Sequence, residues 1–324
     1  MSQVATSSSL AVPPSRWPLL ESVVQPPTRK RYTKAVDAFL HWLAERNHRS
    51  FQSVQHIDDL LLQYVHHCWT NAVPFTTAKN ALYGLRALHP SFKTGLPLAK
   101  VAVDNWDKRR SKKSHPPMPR VVVYCIAVYM TFRGNIQLAI ATLTAFHTYC
   151  RKRELLNLRG SDVVEVADPR LSGANEHMGI YLQDTKTGKY QYVRIKDPAI
   201  ATLLLELRDI VGLDHRMFPF ANNTWLNLIH EACAAFGFPD DLVVHSLRHG
   251  GATHDFIRDV PLPTIQVRGR WARFENMLRY VQAGRGRLIE RELPRWAVDA
   301  GLLFIERPLE ALAAAAKLAP SSKH

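Results

Sequence analysis

From about Thr28 the apolar positions of the chain recur at helical spacing. In TRKRYTKAVDAFLHWLAERN the residues Tyr32, Val36, Phe39, Leu40 and Leu43 follow one another at three- and four-residue steps and form one buried stripe. HIDDLLLQYVHHCW and TTAKNALYGLRALHP repeat the pattern, with Thr76 or Thr77 as a candidate cap, and a fourth short helix covers part of 96–107. The first hundred or so residues therefore read as a small helical bundle with no strand. Residues 1–17 are rich in Ser, Pro and small side chains, which supply no packed face, and they read as a disordered arm.

The periodicity stops at WDKRRSKKSHPPMPR, residues 106–120, a basic and Pro-rich stretch that reads as a linker over 108–119. Beyond it, VVVYCIAVYMTF and IQLAIATLTAFHTYC are long, apolar and rich in Ala, Leu and Met, as buried helices are. After Asp162 the pattern changes to short β-branched and aromatic runs, VVEV, GIYLQDT and YQYVRI, with Thr-Gly-Lys at a turn. PAIATLLLELRDIV and NTWLNLIHEACAAF return to helix, and RPLEALAAAAKL at 307–318 is an Ala- and Leu-rich helix, a candidate for docking onto a neighbouring protomer. The expected fold class is mainly α with a small antiparallel β-sheet. The expected division is an arm (1–17), a helical domain (18–107), a linker (108–119), a mixed α/β domain (120–305) and a docking helix with its tail (306–324).

Charge narrows the function. The 324 residues carry a formal net charge of +14, and 46% of them are hydrophobic, so a folded protein with a polyanionic partner is expected. No apolar run approaches the ~20 residues of a membrane-spanning helix, which favours nucleic acid over a bilayer as that partner. The opening residues lack a basic segment followed by an apolar block, so no secretory signal is read and the expected location is inside the cell, associated with DNA. Cys68, Cys125, Cys150 and Cys233 are scattered without a C-x-x-C pair, as reduced and buried thiols would be.

The richest chemistry lies in HSLRHGGATHDFIRDVPLPTIQVRGRWARFENMLRY, residues 245–280. His245 and Arg248 are three apart, so a helix would aim both at one object, and two nitrogen-rich groups suit an anion. Gly250 and Gly251 follow, then a short apolar segment, a Gly-Arg-Trp turn at 269–271, and Tyr280 nine residues beyond Trp271. This order resembles the C-terminal half of the active site of the tyrosine recombinases, the phage integrase family, in which the tyrosine attacks a DNA phosphodiester. The family also has an upstream arginine with an acidic residue three positions on, and a lysine on a β-hairpin. Arg151 and Glu154 in TAFHTYCRKRELLNLRGSDV, and Lys186 in IYLQDTKTGKYQYVRI, match them. Lys189 lies at the same turn as Lys186 and remains an alternative, whereas the spacing to Glu154 selects Arg151 over Arg153. Several features in the right order are far more specific than any one alone.

The resemblance implies a role for each residue. Arg151 and Arg248 would clamp the non-bridging oxygens, His245 would move a proton or hold an oxygen, and Lys186 would protonate the leaving 5′ oxygen. Trp271 stands where many members have His and would donate one hydrogen bond, Glu154 would orient its neighbours from behind, and Tyr280 would form a 3′-phosphotyrosine. Neither metal nor other cofactor is implied. The expected partner is double-stranded DNA with paired recombination sites, engaged by a homo-tetramer, and the wording of the motifs is similar to recombinases of mobile elements. A type IB topoisomerase, a telomere-resolving enzyme and a DNA-binding protein that no longer cuts are the alternatives.

The N-terminal bundle resembles the family's core-binding domain. Its candidate phosphate contacts are Arg29, Lys30, Arg31, Lys34 and Lys79, with Lys108, Arg109 and Arg110 in the linker, and plain solvated charge is the competing account of each. The run KRRSKK at 108–113 also resembles a nuclear localisation signal. Other motifs carry less. His245 and His249 are four apart, but the glutamate of H-E-x-x-H is absent and Arg248 would repel a cation; HHC at 66–68 has no second ligand pair; and TGK at 187–189 lacks the rest of a P-loop. AGRGR at 283–287 reads as a flexible basic turn.

Overall fold

The helical stripes of the N-terminal part fold into five helices, α1 (Pro26–Ala44), α2 (Val54–Thr70), α3 (Phe75–Leu88), α4 (Ser91–Thr94) and α5 (Pro97–Arg109). The computed structural model describes residues 24–48, 51–88, 91–111, 114–165, 178–185 and 188–320, so the expected arm at 1–17 lies outside the described residues. The chain divides into two compact units, Met1–Lys113 and Ser114–His324. In the first, α1 packs on α3 and α2 on α5. Phe39, Trp42 and Tyr64 meet ring to ring at 5.2–6.4 Å in its core, and every apolar position of the α1 stripe named above except Tyr32 and Leu40 is fully buried. The buried Asp58 of α2 accepts the backbone N–H groups of Leu98 and Ala99 at 2.8 and 2.9 Å, which satisfies two orphan donors at the start of α5 and places a negative charge at a helix N-terminus.

The second unit is built on two apolar helices, α6 (Arg120–Phe132) and α7 (Ile136–Thr148), packed on each other. A short α8 (Lys152–Leu156) and a 3-10 turn (Gly160–Asp162) lead into a three-stranded antiparallel sheet of order β1 (Val163–Val164), β2 (Gly179–Thr185), β3 (Gly188–Arg194), with Ile180 opposite both Val163 and Val193. Then come α9 (Pro198–Val211), α10 (Asn222–Phe236), α11 (Val244–Ile257), α12 (Leu262–Gly269), α13 (Phe274–Leu278), α14 (Ala283–Glu292), α15 (Arg295–Glu306) and α16 (Pro308–Lys317). The mainly helical chain with one small antiparallel sheet is the fold class expected from the sequence. Trp225 of α10 is fully buried and donates its indole N–H to Thr142 of α7 at 2.9 Å, so the polar end of the largest core side chain is satisfied. All four cysteines are free and buried. Among the described residues no helix is long and apolar enough to cross a membrane.

Several expectations are corrected. Helix α3 begins at Phe75, so Thr76 and Thr77 lie inside it rather than capping it. Helix α5 extends to Arg109, which puts Lys108 and Arg109 on a helix instead of in the linker. The other end of the expected linker is packed: Pro116, Pro117, Met118 and Pro119 are buried, and Met118 donates its backbone N–H to the Ser246 carbonyl at 3.0 Å. Three prolines flank an apolar side chain there, and burying it against α11 outweighs chain freedom. AGRGR is the first part of helix α14, not a turn. Helix α16 lies on α6 of its own chain with Leu312 and Ala315 buried, so the apolar face expected to seek a neighbour is used at least in part within the protomer.

Candidate active site

The Arg-x-x-Glu spacing is a capping geometry. Arg151 precedes α8, and the Glu154 carboxylate reaches back to accept the Arg151 backbone N–H at 2.7 Å. The same carboxylate takes the Arg151 guanidinium at 2.6 Å and, from the far side, that of Arg270 at 2.6 Å. Burial pulls the Glu154 carboxyl upward, but the charge of Arg270 and then the hydrogen bonds from Arg151 hold it below its ordinary value, so it stays ionised. One carboxylate thus aligns two guanidinium groups.

His245 and Arg248 share a face of α11, which runs straight through Gly250 and Gly251. These glycines do not end the helix; they let other backbone approach it. A Cβ on Gly250 would stand 2.1 Å from the Met118 carbonyl oxygen, and one on Gly251 would stand 2.2 Å from that of Phe146. The close approach brings the end of α7 to Arg248, whose guanidinium donates to the carbonyls of Tyr149 and Gly269. Tyr149 adopts the left-handed conformation at φ 53°, and its hydroxyl is held by Asp255, which also pairs with Arg268. Arg248 is 1% exposed and lies under the Trp271 ring at 4.4 Å, yet no carboxylate among the described residues pairs with it and its Nε has no partner. Burial first, then the charges of Arg151 and Arg270, push its pKa down, though not far enough to discharge it near neutrality.

Tyr280 stands in the turn after α13, with its hydroxyl 3.3 Å from His245 Nε2. Its ring stacks on His249 at 4.4 Å and tilts against Trp271 at 4.8 Å. The Thr253 hydroxyl donates to the Tyr280 carbonyl at 3.0 Å and accepts the Gln282 N–H at 3.0 Å, pinning the backbone on both sides of the turn. Gln282 donates from its side chain to His249 Nδ1 and to Ser114 Oγ, both at 2.9 Å. Burial, reinforced by the Arg248 charge, lowers the His245 pKa to about 4; burial, reinforced by His245, lowers that of His249 to about 3. Both imidazoles are therefore neutral near pH 7. His245 can accept the tyrosine proton through Nε2 in the tautomer that leaves that nitrogen bare.

The fold brings Arg151, Glu154, His245, Arg248, Trp271 and Tyr280 into one cluster, although they come from α8, α11, the end of α12 and the turn after α13. Lys186 lies outside the described residues, and of Lys189 only the backbone pairing with Asp184 is described. Arg29, Lys30, Arg31, Lys34 and Lys79 are exposed on the first unit, as are Lys108, Arg109 and Arg110, with Arg110 over the Phe75 ring at 4.3 Å. Sequence reasoning missed Tyr149, Arg270 and Gln282 and set His249 aside as a rejected metal ligand. Arg270 was visible within the Gly-Arg-Trp turn, but nothing in the spacing shows that it reaches Glu154. No group of three or more His, Cys, Asp or Glu side chains among the described residues is arranged to hold a metal ion.

No sequence family matches the chain, and no curated protein does. Solved structures do match. A lambda integrase (75–356) dimer bound to a core site is similar over 82% of this chain and 92% of that one, with 15% identity and a TM-score of 0.55. The Tn1549 transposon integrase in complex with transposon right-end DNA is similar over 82% and 98%, with 10% identity and a TM-score of 0.53. The XerH site-specific recombinase bound to a palindromic difH substrate is similar over 81% and 78%, with 15% identity and a TM-score of 0.51. These neighbours are tyrosine recombinases, and the chain shares their fold.

Proposed function

We propose that this protein is a site-specific DNA recombinase that cuts and rejoins strands through Tyr280. The observation that carries the reading is Arg248. A guanidinium held at 1% exposure with no carboxylate partner among the described residues and an unpartnered Nε is costly, and an anion from outside would complete it. Trp271 Nε1 is a second buried donor without a partner beside it. A phosphodiester suits both, because its non-bridging oxygens accept from the Arg151 and Arg248 forks and from the indole.

In the proposed step Tyr280 Oη forms a bond to phosphorus while the bond from phosphorus to the 5′ oxygen breaks. The tyrosine proton passes to neutral His245 Nε2, and the leaving oxygen takes a proton from a general acid, for which Lys186 is the candidate. A 5′ hydroxyl then attacks the phosphotyrosine in the reverse sense and restores the phosphodiester. Exposed basic side chains of α1 would grip the duplex, and a homo-tetramer would pair two sites.

The test is covalent trapping. Protein is incubated in EDTA, without ATP, with labelled DNA from the native gene's flanks, carrying nicks that let the cut fragment escape. A denaturing gel should show an adduct for the wild type and none for Tyr280→Phe. Tight binding with no wild-type adduct would point instead to a DNA-binding protein that does not cut.

A further inference from the structure

We infer that Arg270 is a positioning residue of this site, holding Glu154 so that Arg151 presents its guanidinium to the phosphate. The inference rests on the reading of the cluster as a phosphate site and adds a residue whose role the spacing of the motif does not reveal.

The backbone is the first observation. Arg270 caps α12 in the left-handed conformation at φ 55° and ψ 41°, where Gly or Asn is the usual occupant and a long side chain is strained. A cation at a helix C-terminus is favourable, but that benefit needs no burial, and the Arg270 side chain is only 6% exposed. Strain and desolvation together indicate that the side chain has a task.

The contacts identify it. Arg270 Nη2 meets Glu154 Oε2 at 2.6 Å and passes Cys150 Sγ, immediately before Arg151, at 3.9 Å. Glu154 Oε1 holds the Arg151 guanidinium at 2.6 Å, so the carboxylate is braced on one side by Arg270 and spent on Arg151 at the other. Without Arg270, Glu154 Oε2 would keep only the Arg151 backbone N–H, and the whole charge of the carboxylate would fall on the Arg151 guanidinium and draw it away from the phosphate. Each residue of the Gly-Arg-Trp turn then has a share: Gly269 lends its carbonyl to Arg248, Arg270 braces Glu154, and Trp271 covers Arg248. Gly269 admits the indole, because a Cβ there would stand 1.8 Å from the Trp271 ring. Two guanidinium groups on the Glu154 carboxylate, with that of Arg248 near enough to feel their charge, leave the cluster electropositive, as a bound phosphate requires.

The test uses the full chain with Arg270→Asn, which suits the left-handed backbone, Arg270→Lys, Glu154→Gln and the Arg270→Asn/Glu154→Gln double variant. On saturating nicked DNA, Arg270→Asn should form adduct at least tenfold more slowly, with DNA affinity within about twofold of the wild type. Arg270→Lys should recover part of the rate, and the double variant should be no slower than the slower single one. Inorganic phosphate is a second probe that needs no cleavage. Phosphate should raise the wild-type melting temperature, and Arg270→Asn should need at least tenfold more phosphate for the same rise above its own phosphate-free value. Unaltered adduct rates, additive losses, equal phosphate requirements or a wild type that phosphate does not stabilise would each overturn the inference. If the wild type forms no adduct but the phosphate contrast holds, strand cleavage fails while the role of Arg270 stands.

Discussion

At the scale of single residues, the buried donors without partners are the informative ones. Trp271 Nε1 is unpartnered in a residue 7% exposed, while its ring covers Arg248 and tilts against Tyr280. Removing a donor that bonds to nothing in the free protein costs little, so the stability lost in Trp271→Phe should be that of a smaller buried ring, about 1–3 kcal/mol, and the variant should still fold. If the indole donates to the phosphate in the transition state, the same change removes a hydrogen bond to a charged group, about 1.5–3 kcal/mol, and adduct formation should slow roughly 10- to 100-fold. Rapid-quench rates beside thermal melts check this, and an unslowed variant would reduce the indole to packing. Arg151 with Glu154, and His245 with Arg248, were legible in the sequence because each pair sits three apart on a local turn. Tyr149 and Arg270 were not, because the Tyr149 carbonyl and the Arg270 side chain act on partners about a hundred residues away in sequence.

At the scale of elements, α1 is a two-sided helix. Ala35, Val36, Phe39, Trp42 and Leu43 are buried, while Arg29, Lys30, Thr33 and Lys34 line an open groove on the exposed side with Pro26 and Asp37. If Arg29, Lys30 and Lys34 each neutralise a phosphate, replacing all three with Gln should flatten the plot of log affinity against log salt by about 2–3, since each contact contributes ~0.9. Binding titrations from 50 to 300 mM salt measure the slope; an unchanged slope would leave the three as solvated charge. The helices of the first unit were readable because one face of each is buried, which imposes a period of 3.6 on the apolar positions, whereas α6, α7 and the hairpin were readable from apolar, β-branched and aromatic composition. The segments misread as linker and turn lacked such a period. Residues 116–119 are held by local burial against α11, and α14 carries mostly basic and glycine positions at its start.

At the scale of the whole molecule, the second unit buries histidines in their neutral form. Burial, then neighbouring positive charge, lowers the pKa of His147 and His249 to about 3 and of His245 and His254 to about 4, against an ordinary value near 6.5. A folded-state pKa below the unfolded value means that the unfolded chain binds protons first as pH falls. Stability is therefore full above about pH 6.5 and is lost as pH falls from there through about 4 for His245 and His254 and about 3 for His147 and His249, at roughly 1 kcal/mol per histidine from pH 6.5 to 5.5. Denaturant titrations at the two pH values should show a clear loss, and His147→Gln should lessen it. A phosphate bound at the cluster would favour protonated His245, so DNA should narrow the difference.

The sequence by itself determined the local structure and the chemical inventory: a helical first unit, a mainly helical second unit with a small hairpin sheet, a strong positive charge, and an ordered set of Arg, His, Arg, Trp and Tyr. These properties depend on spacing within one element or on composition, and both are written along the chain. Only the tertiary structure decided that α11 can approach the end of α7 at Gly251 and the backbone of Met118 at Gly250, that Arg248 has two carbonyls and, among the described residues, no carboxylate for company, and that Arg270 braces Glu154. Those facts depend on distances between elements about a hundred residues apart in sequence, which packing sets and periodicity does not record.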